Sequence, residues 1–404
     1  MRILVLTYAF PPLHVQMTPV ALKPMAAMTK LGVSADVVTV RNFPSILPLS
    51  DDLVSYADTI FEKKIFVDDY KKTGSWTLKC GELLRLPDLM ATYSCQTLHA
   101  LLSLDLARYD AILTWSPFHS VNQVMMELKS EHPGVRWIAQ FSDPWAGNPL
   151  ERHWSTNRWN SHFEQRAVPL ADAIIHSSHY SMRMMANAVS TADKSRFSVV
   201  EHCYDRSLYE IREPRSRDRF VIRYVGTLFG RRTPEPFFGA VRSLLARRPE
   251  LASVFSLELV GPVEPAMLIS DAASSLPNGM IDNAPHVGYL ESLRYMAGAD
   301  LLVLIEADVK ANLFLPSKLA DYVGSGSPIL ALVPPGAARD FTRSLGCWHA
   351  EPGNVDDISQ ALEQAFDHIQ TKGSATWRNE AVAETLSADT IARHYKSIFE
   401  RVIA

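Results

Sequence analysis

The chain has 404 residues, 47% hydrophobic and 21% charged, with a formal charge of −4. That length exceeds one ordinary core and fits two domains, and the composition excludes a disordered chain. No positive field surrounds the whole protein to draw in nucleic acid, so any anion site must be local.

Read in chain order, the opening run Arg2–Ala9 is too short for a signal-peptide core and predicts a strand. Further strands are predicted at Ala35–Val40, Ala111–Trp115, Val135–Phe141, Ala173–His176 and Phe197–Glu201, with helical segments between most of them. Mixed charge and aromatics make Ser45–Met90 the least readable stretch; an excursion lining an acceptor site is the expectation there. A polar, Arg-rich seam at Arg206–Asp218 separates residues 1–205 from a second half. There the strand pattern repeats at Phe220–Gly226, Ser256–Gly261, Ala284–Val287, Leu301–Ile305 and Ile329–Val333, within a domain expected to span 219–380. Residues 381–404 have helical spacing and fit a terminal helix packing on either half, including back onto the first. The fold class expected is α/β: two doubly wound, Rossmann-like domains facing across a cleft.

Cys80, Cys95, Cys203 and Cys347 show no CxxC pair and no zinc spacing, so they read as reduced, buried thiols. No uncharged window reaches the ~20 residues of a membrane span. A cytoplasmic protein is expected, with peripheral membrane contact through a helix left open.

The richest segment for chemistry is Leu313 to Leu330. Pro316 suits a helix start; Ser317 and Lys318 then lie in the first turn, where free amides and the positive dipole end form an anion site with a built-in ammonium. Asp321, on the same face, suits the vicinal hydroxyls of a ribose. An ordinary capped helix with a surface Lys–Asp pair fits the same residues. Gly226, Thr227, Arg231 and Arg232 follow the first strand of the second half, and two arginines offer forked donors to phosphate, or form a solvated pair in a turn. Gly261 ends a later strand, and Gly288 with Tyr289 ends another, where tight turns or backbone approach to a nucleotide base are both open. In the first half, His14, Trp115, His119 and Trp145 follow strands and suit an acceptor pocket, while Asp143 reads equally as a loop cap or a site carboxylate. His176 and His202 complete the candidate histidines; none pairs with a nucleophile at catalytic spacing. No GxSxG, HExxH, P-loop or GxGxxG is present.

The order of Pro11-Pro12, Ser142–Trp145, Glu201–Asp205, Tyr224–Thr227 and Pro316–Lys318 through Pro328 resembles the retaining family 4 glycosyltransferases of GT-B fold. The resemblance implies transfer of a hexose-type sugar from a nucleotide sugar to a saccharide, glycolipid or small-molecule hydroxyl, as in bacterial surface polysaccharide synthesis. It implies no metal and no cofactor beyond that co-substrate. The family's paired acids fall on Leu313 and Asp321, so only the ribose-binding one is kept. Its phosphate-binding basic pair falls on Thr227 and Arg232, with Arg231 and Lys318 able to supply charge. Catalytic roles are thereby expected of Arg231, Arg232, Lys318 and Asp143. Other readings on the same fold are an epimerase, a phosphorylase or a non-catalytic nucleotide-sugar-binding protein.

Overall fold

The computed structural model describes residues 1–44, 46–68, 88–148, 154–189, 191, 193–209, 219–284, 287–310 and 312–404. These form two compact units, Met1–His202 together with Ala388–Ala404, and Cys203–Ser387. Most of the expected linker, 210–218, lies outside the described residues.

The first unit is a seven-stranded parallel sheet: β1 (Arg2–Leu6), β2 (Ser34–Val40), β3 (Lys63–Val67), β4 (Ala111–Trp115), β5 (Trp137–Phe141), β6 (Ala173–His176) and β7 (Phe197–Val199), in the order β3-β2-β1-β4-β5-β6-β7. Every residue of β4 and β5 is buried, as expected for parallel strands covered by helices on both faces. Helix Met17–Lys30 follows β1, and helix Ala388–Ile403 packs on it. The latter buries Ala388, Ile391, Ala392, Tyr395, Ile398 and Phe399, one apolar stripe. Its Tyr395 ring lies 5.4 Å from Trp115, and Lys396 Nζ donates to the Leu31 carbonyl at 3.0 Å.

The second unit is a six-stranded parallel sheet of β8 (Phe220–Val225), β9 (Phe255–Val260), β10 (Ile281–Ala284), β11 (Leu301–Ile305), β12 (Ile329–Leu332) and β13 (Trp348–Ala350), ordered β10-β9-β8-β11-β12-β13. In both sheets the order reverses beside the first strand, between β1 and β4 and between β8 and β11. At such a switch point neighbouring loops diverge and leave a ligand crevice at the carboxyl ends of the strands. β3 and β13 were not anticipated, and β10 lies earlier than expected, Ile281–Ala284 in place of Ala284–Val287. Its polar Asp282 and Asn283 hide the strand; Asn283 spends its amide on the Leu259 carbonyl at 2.9 Å.

Cys203 and Cys347 are buried, but Cys95 is exposed on helix Ser94–Leu102, correcting the expectation of burial. That helix buries Thr97 and Leu101 inward and turns Cys95 to solvent. Cys80 lies outside the described residues. Among the described residues no helix is long and apolar enough to cross a membrane.

Candidate functional site

In the second unit, the switch point between β8 and β11 gathers the predicted cations. Helix Ser317–Ser325 begins after Pro316 and ends at Gly326, whose φ of +70° is the left-handed stop that favours glycine. Tyr322 fastens this helix to the end of β8: its hydroxyl accepts from Val225 N at 2.8 Å and donates to Val225 O at 3.2 Å. Lys318 is thereby held over the β8 turn. Its Nζ donates to the Tyr224 hydroxyl at 2.8 Å and lies 4.8 Å from the centre of that ring.

The third member of the cluster, Glu306, was missed in the sequence. It immediately follows β11 and is 3% exposed. Its Oε2 accepts from Arg232 Nη2 at 2.7 Å, and its Oε1 is 4.0 Å from Lys318 Nζ. Neither Glu306 Oε1 nor Arg232 Nε, both buried, has a hydrogen-bond partner among the described residues. Burial, and secondarily the Arg232 charge, lower the Lys318 pKa to about 7, against the opposing pull of Glu306. Such an ammonium gains most from an incoming anion, because the anion restores the charged form.

Arg231 is exposed and donates to the Asp308 carbonyl, outside the Arg232–Glu306–Lys318 cluster. Thr227 is exposed, and its carbonyl accepts from the Tyr224 hydroxyl at 3.0 Å. Asp321 is buried; Tyr289 donates to its Oδ1 at 3.0 Å and Tyr209 to its carbonyl at 2.9 Å. The surface Lys318–Asp321 pair is therefore not what the helix builds, since both side chains turn inward to different partners. Gly288 caps the helix that carries Tyr289. Gly226 and Gly261 end β8 and β9 at φ +144° and +119°, their amides donating to Val260 O and Ala284 O at 2.8 Å each. A Cβ on Gly226 would lie 3.2 Å from Lys318 Nζ, so glycine there keeps the ammonium accessible from the backbone side.

The first unit carries a different chemistry. The residues after β5 are tied down by Ser177 Oγ donating to Ser142 O (2.8 Å) and by Ala146 N donating to Glu164 Oε2 (2.9 Å). Burial raises Glu164 to about 7. Asp143 has no hydrogen bond among the described residues, and burial raises it to about 6. Trp145, His119, Phe141 and His176 stack in series at centroid spacings of 5.1, 5.8 and 5.5 Å. Burial lowers both histidines to about 3, so they are neutral imidazoles. Trp115 and Trp145 are each 1% exposed, packed beside the Tyr395 and His119 rings at 5.4 and 5.1 Å. His14 is partly exposed, its amide donating to Pro48 O at 2.8 Å. His202 is buried, and burial with nearby Lys23 lowers it to about 3.

No family model matches this chain, and no curated protein matches its sequence. Solved structures match its fold over almost all of both chains. A glycosyltransferase from Rickettsia africae superposes with TM-score 0.66 at 11% identity, covering 100% of this chain and 98% of that one. Anabaena HepE in complex with UDP-glucose gives 0.65 at 14% identity, with 99% and 100% covered. UDP-GlcNAc 2-epimerase from Neisseria meningitidis, bound to UDP-GlcNAc, gives 0.58 at 12%, with 99% and 100% covered.

The fold is GT-B. At such identities the likeness establishes architecture, and chemistry has to be argued from the site.

Proposed function

We propose that the chain is a retaining glycosyltransferase whose second unit binds a nucleotide-sugar diphosphate between Lys318, Arg232 and the amides opening helix Ser317–Ser325. The observation that carries this reading is Lys318: a nearly buried ammonium with a lowered pKa, at a helix start, at the switch point of a parallel sheet. Asp321, oriented by Tyr289, would accept from ribose hydroxyls, and the backbone around Gly261 and Gly288 would approach the base. Sugar transfer leaves negative charge on the departing diphosphate. Lys318 and Arg232 would stabilise that charge, each contributing on the order of 3 kcal/mol. The acceptor, a saccharide or lipid-linked hydroxyl, is assigned to the first unit near Asp143, His14 and His119. The HepE complex supports the donor class by analogy of fold.

The test is titration calorimetry with UDP-, GDP-, ADP- and dTDP-sugars at pH 8, repeated in buffers of different ionisation enthalpy. With its pKa at about 7, Lys318 is mostly neutral at pH 8. A bound diphosphate raises that pKa, so about 0.9 proton should enter per donor bound. An enthalpy independent of buffer would remove Lys318 from the phosphate site. Failure of every nucleotide sugar to bind would overturn the functional reading. Donor consumed only when acceptor is present marks a transferase; consumption without acceptor would instead mark an epimerase.

Asp321→Ala should weaken donor affinity by about tenfold with a smaller change in kcat, because ribose contacts are similar in ground and transition states. Steady-state kinetics with donor varied at fixed, saturating acceptor checks this, and a large fall in kcat at unchanged affinity would contradict the ribose role.

A further inference from the structure

Glu306 puts a carboxylate among the cations of the second unit. It follows the fully buried β11, whose parallel register, Leu301 beside Ile222 and Leu302 beside Arg223, sets it level with the turn after β8. It is 3% exposed. Oε2 accepts from Arg232 Nη2 at 2.7 Å, while Oε1 has no hydrogen-bond partner among the described residues and faces Lys318 Nζ across 4.0 Å. That gap is too long for a hydrogen bond and short enough for strong attraction between buried charges. The other groups around the ammonium are neutral or turned elsewhere. Burial pushes the Tyr224 and Tyr322 hydroxyls above their ordinary range, so both stay uncharged. Asp321 accepts from Tyr289 at 3.0 Å, and Asp308 turns its carboxylate to Gly353, where a Cβ would lie 3.1 Å away. Among the described residues, Glu306 is the acid that meets both cations.

Resting on the reading of Lys318 and Arg232 as the diphosphate site, we infer that Glu306 is its positioning residue, holding Arg232 and keeping the Lys318 ammonium charged until a donor arrives. Two cations buried side by side repel, and burial penalises each charge, so a lysine there without an acid sheds its proton and loses its attraction for phosphate. Glu306 opposes both effects from a distance at which it does not itself hydrogen-bond to Nζ. Above the Lys318 pKa of about 7, donor binding must bring in a proton, and affinity falls as pH rises. Removing the carboxylate moves that fall to lower pH.

Glu306→Gln keeps an oxygen for Arg232 and deletes the charge. In the ligand-free protein, the side-chain carbon signal of Lys318, assigned by its loss in Lys318→Met, should titrate near pH 7 in wild type. In Glu306→Gln it should titrate about one unit lower or more, and in Glu306→Asp, whose carboxylate is withdrawn by one methylene, between the two. Calorimetric proton uptake at pH 7, with the tightest-binding of the four nucleotide sugars, should rise from about 0.5 per donor in wild type to about 0.9 in Glu306→Gln. A Lys318 titration unmoved in Glu306→Gln, or uptake that does not rise, would overturn the inference. Thermal unfolding identifies a variant that has lost its fold; if Glu306→Gln has, Glu306→Asp decides, and an unmoved titration there overturns the inference equally. No proton uptake in wild type would instead overturn the diphosphate site on which this role rests, and the ligand-free titration separates the two failures.

Discussion

Lys318→Met should lower nucleotide-sugar affinity or turnover by about a hundredfold and at the same time stabilise the ligand-free protein. The first effect follows from removing a cation where the donor's charge lies and grows, a loss of about 2.7 kcal/mol. The second follows from the depressed pKa. An unfolded chain holds the lysine proton up to about 10.5, while the folded chain releases it near 7. Below pH 7 the folded protein must carry a charge in a nearly buried place, and this penalty is fully present. As pH rises from 7 towards 10.5 the penalty fades, because the proton that folding must release costs less to give up at higher pH. Methionine has similar length and no charge, so the variant's advantage should be about 2 kcal/mol or more at pH 6–7 and small by pH 10.5. Urea unfolding across that range measures it. A variant less stable than wild type at pH 6.5 would show that Lys318 is held by favourable interactions stronger than its desolvation.

Gly261→Ala should damage the second unit severely. An alanine Cβ there would lie 2.3 Å from the Gly226 carbonyl oxygen, both on backbone that ends paired strands, and the φ of +119° is strained for any L side chain. Neither strand end can move without giving up the 2.8 Å bond from Gly226 N to Val260 O. Strain and clash together should cost about 3–5 kcal/mol and, by separating β8 from β9, displace the turn that faces Lys318. Gly279→Ala isolates the first component, since that glycine also has positive φ, +74°, but a Cβ would meet nothing within 4 Å. Its cost should be about 1 kcal/mol. Thermal unfolding of the pair separates the two contributions. A Gly261→Ala protein that melts with wild type and binds donor normally would mean that the turn rearranges freely.

The alternation of short Val- and Ile-rich runs with helical segments made the two parallel sheets legible, because fully buried central strands such as β4 and β11 have no polar face to blur them. The outermost strands were harder to read. β3 reads Lys-Lys-Ile-Phe-Val and β13 has only three residues, so neither holds the continuous apolar run of a strand buried on both sides. Among the candidate residues, Lys318 and Arg232 could be placed by type and position, since a helix start and a strand end each impose their own chemistry. Glu306 was missed although a signal was present: an acid directly after the apolar run Leu301–Ile305, close to a strand end as Asp143 is, two residues after β5. The depth of Trp115 and Trp145 was not legible either, because the residues that cover them, Tyr395 of helix Ala388–Ile403 and His119, are distant in sequence.

That same helix sets an order of events during synthesis. The first sheet is complete when residue 202 has been made, but Trp115 and the buried face of helix Met17–Lys30 wait for partners that emerge only with residues 388–404. The second unit is one continuous stretch, Cys203–Ser387. The half encoded later is thus the one able to close its core first, while the half encoded earlier must keep an apolar groove shielded for the length of an entire domain.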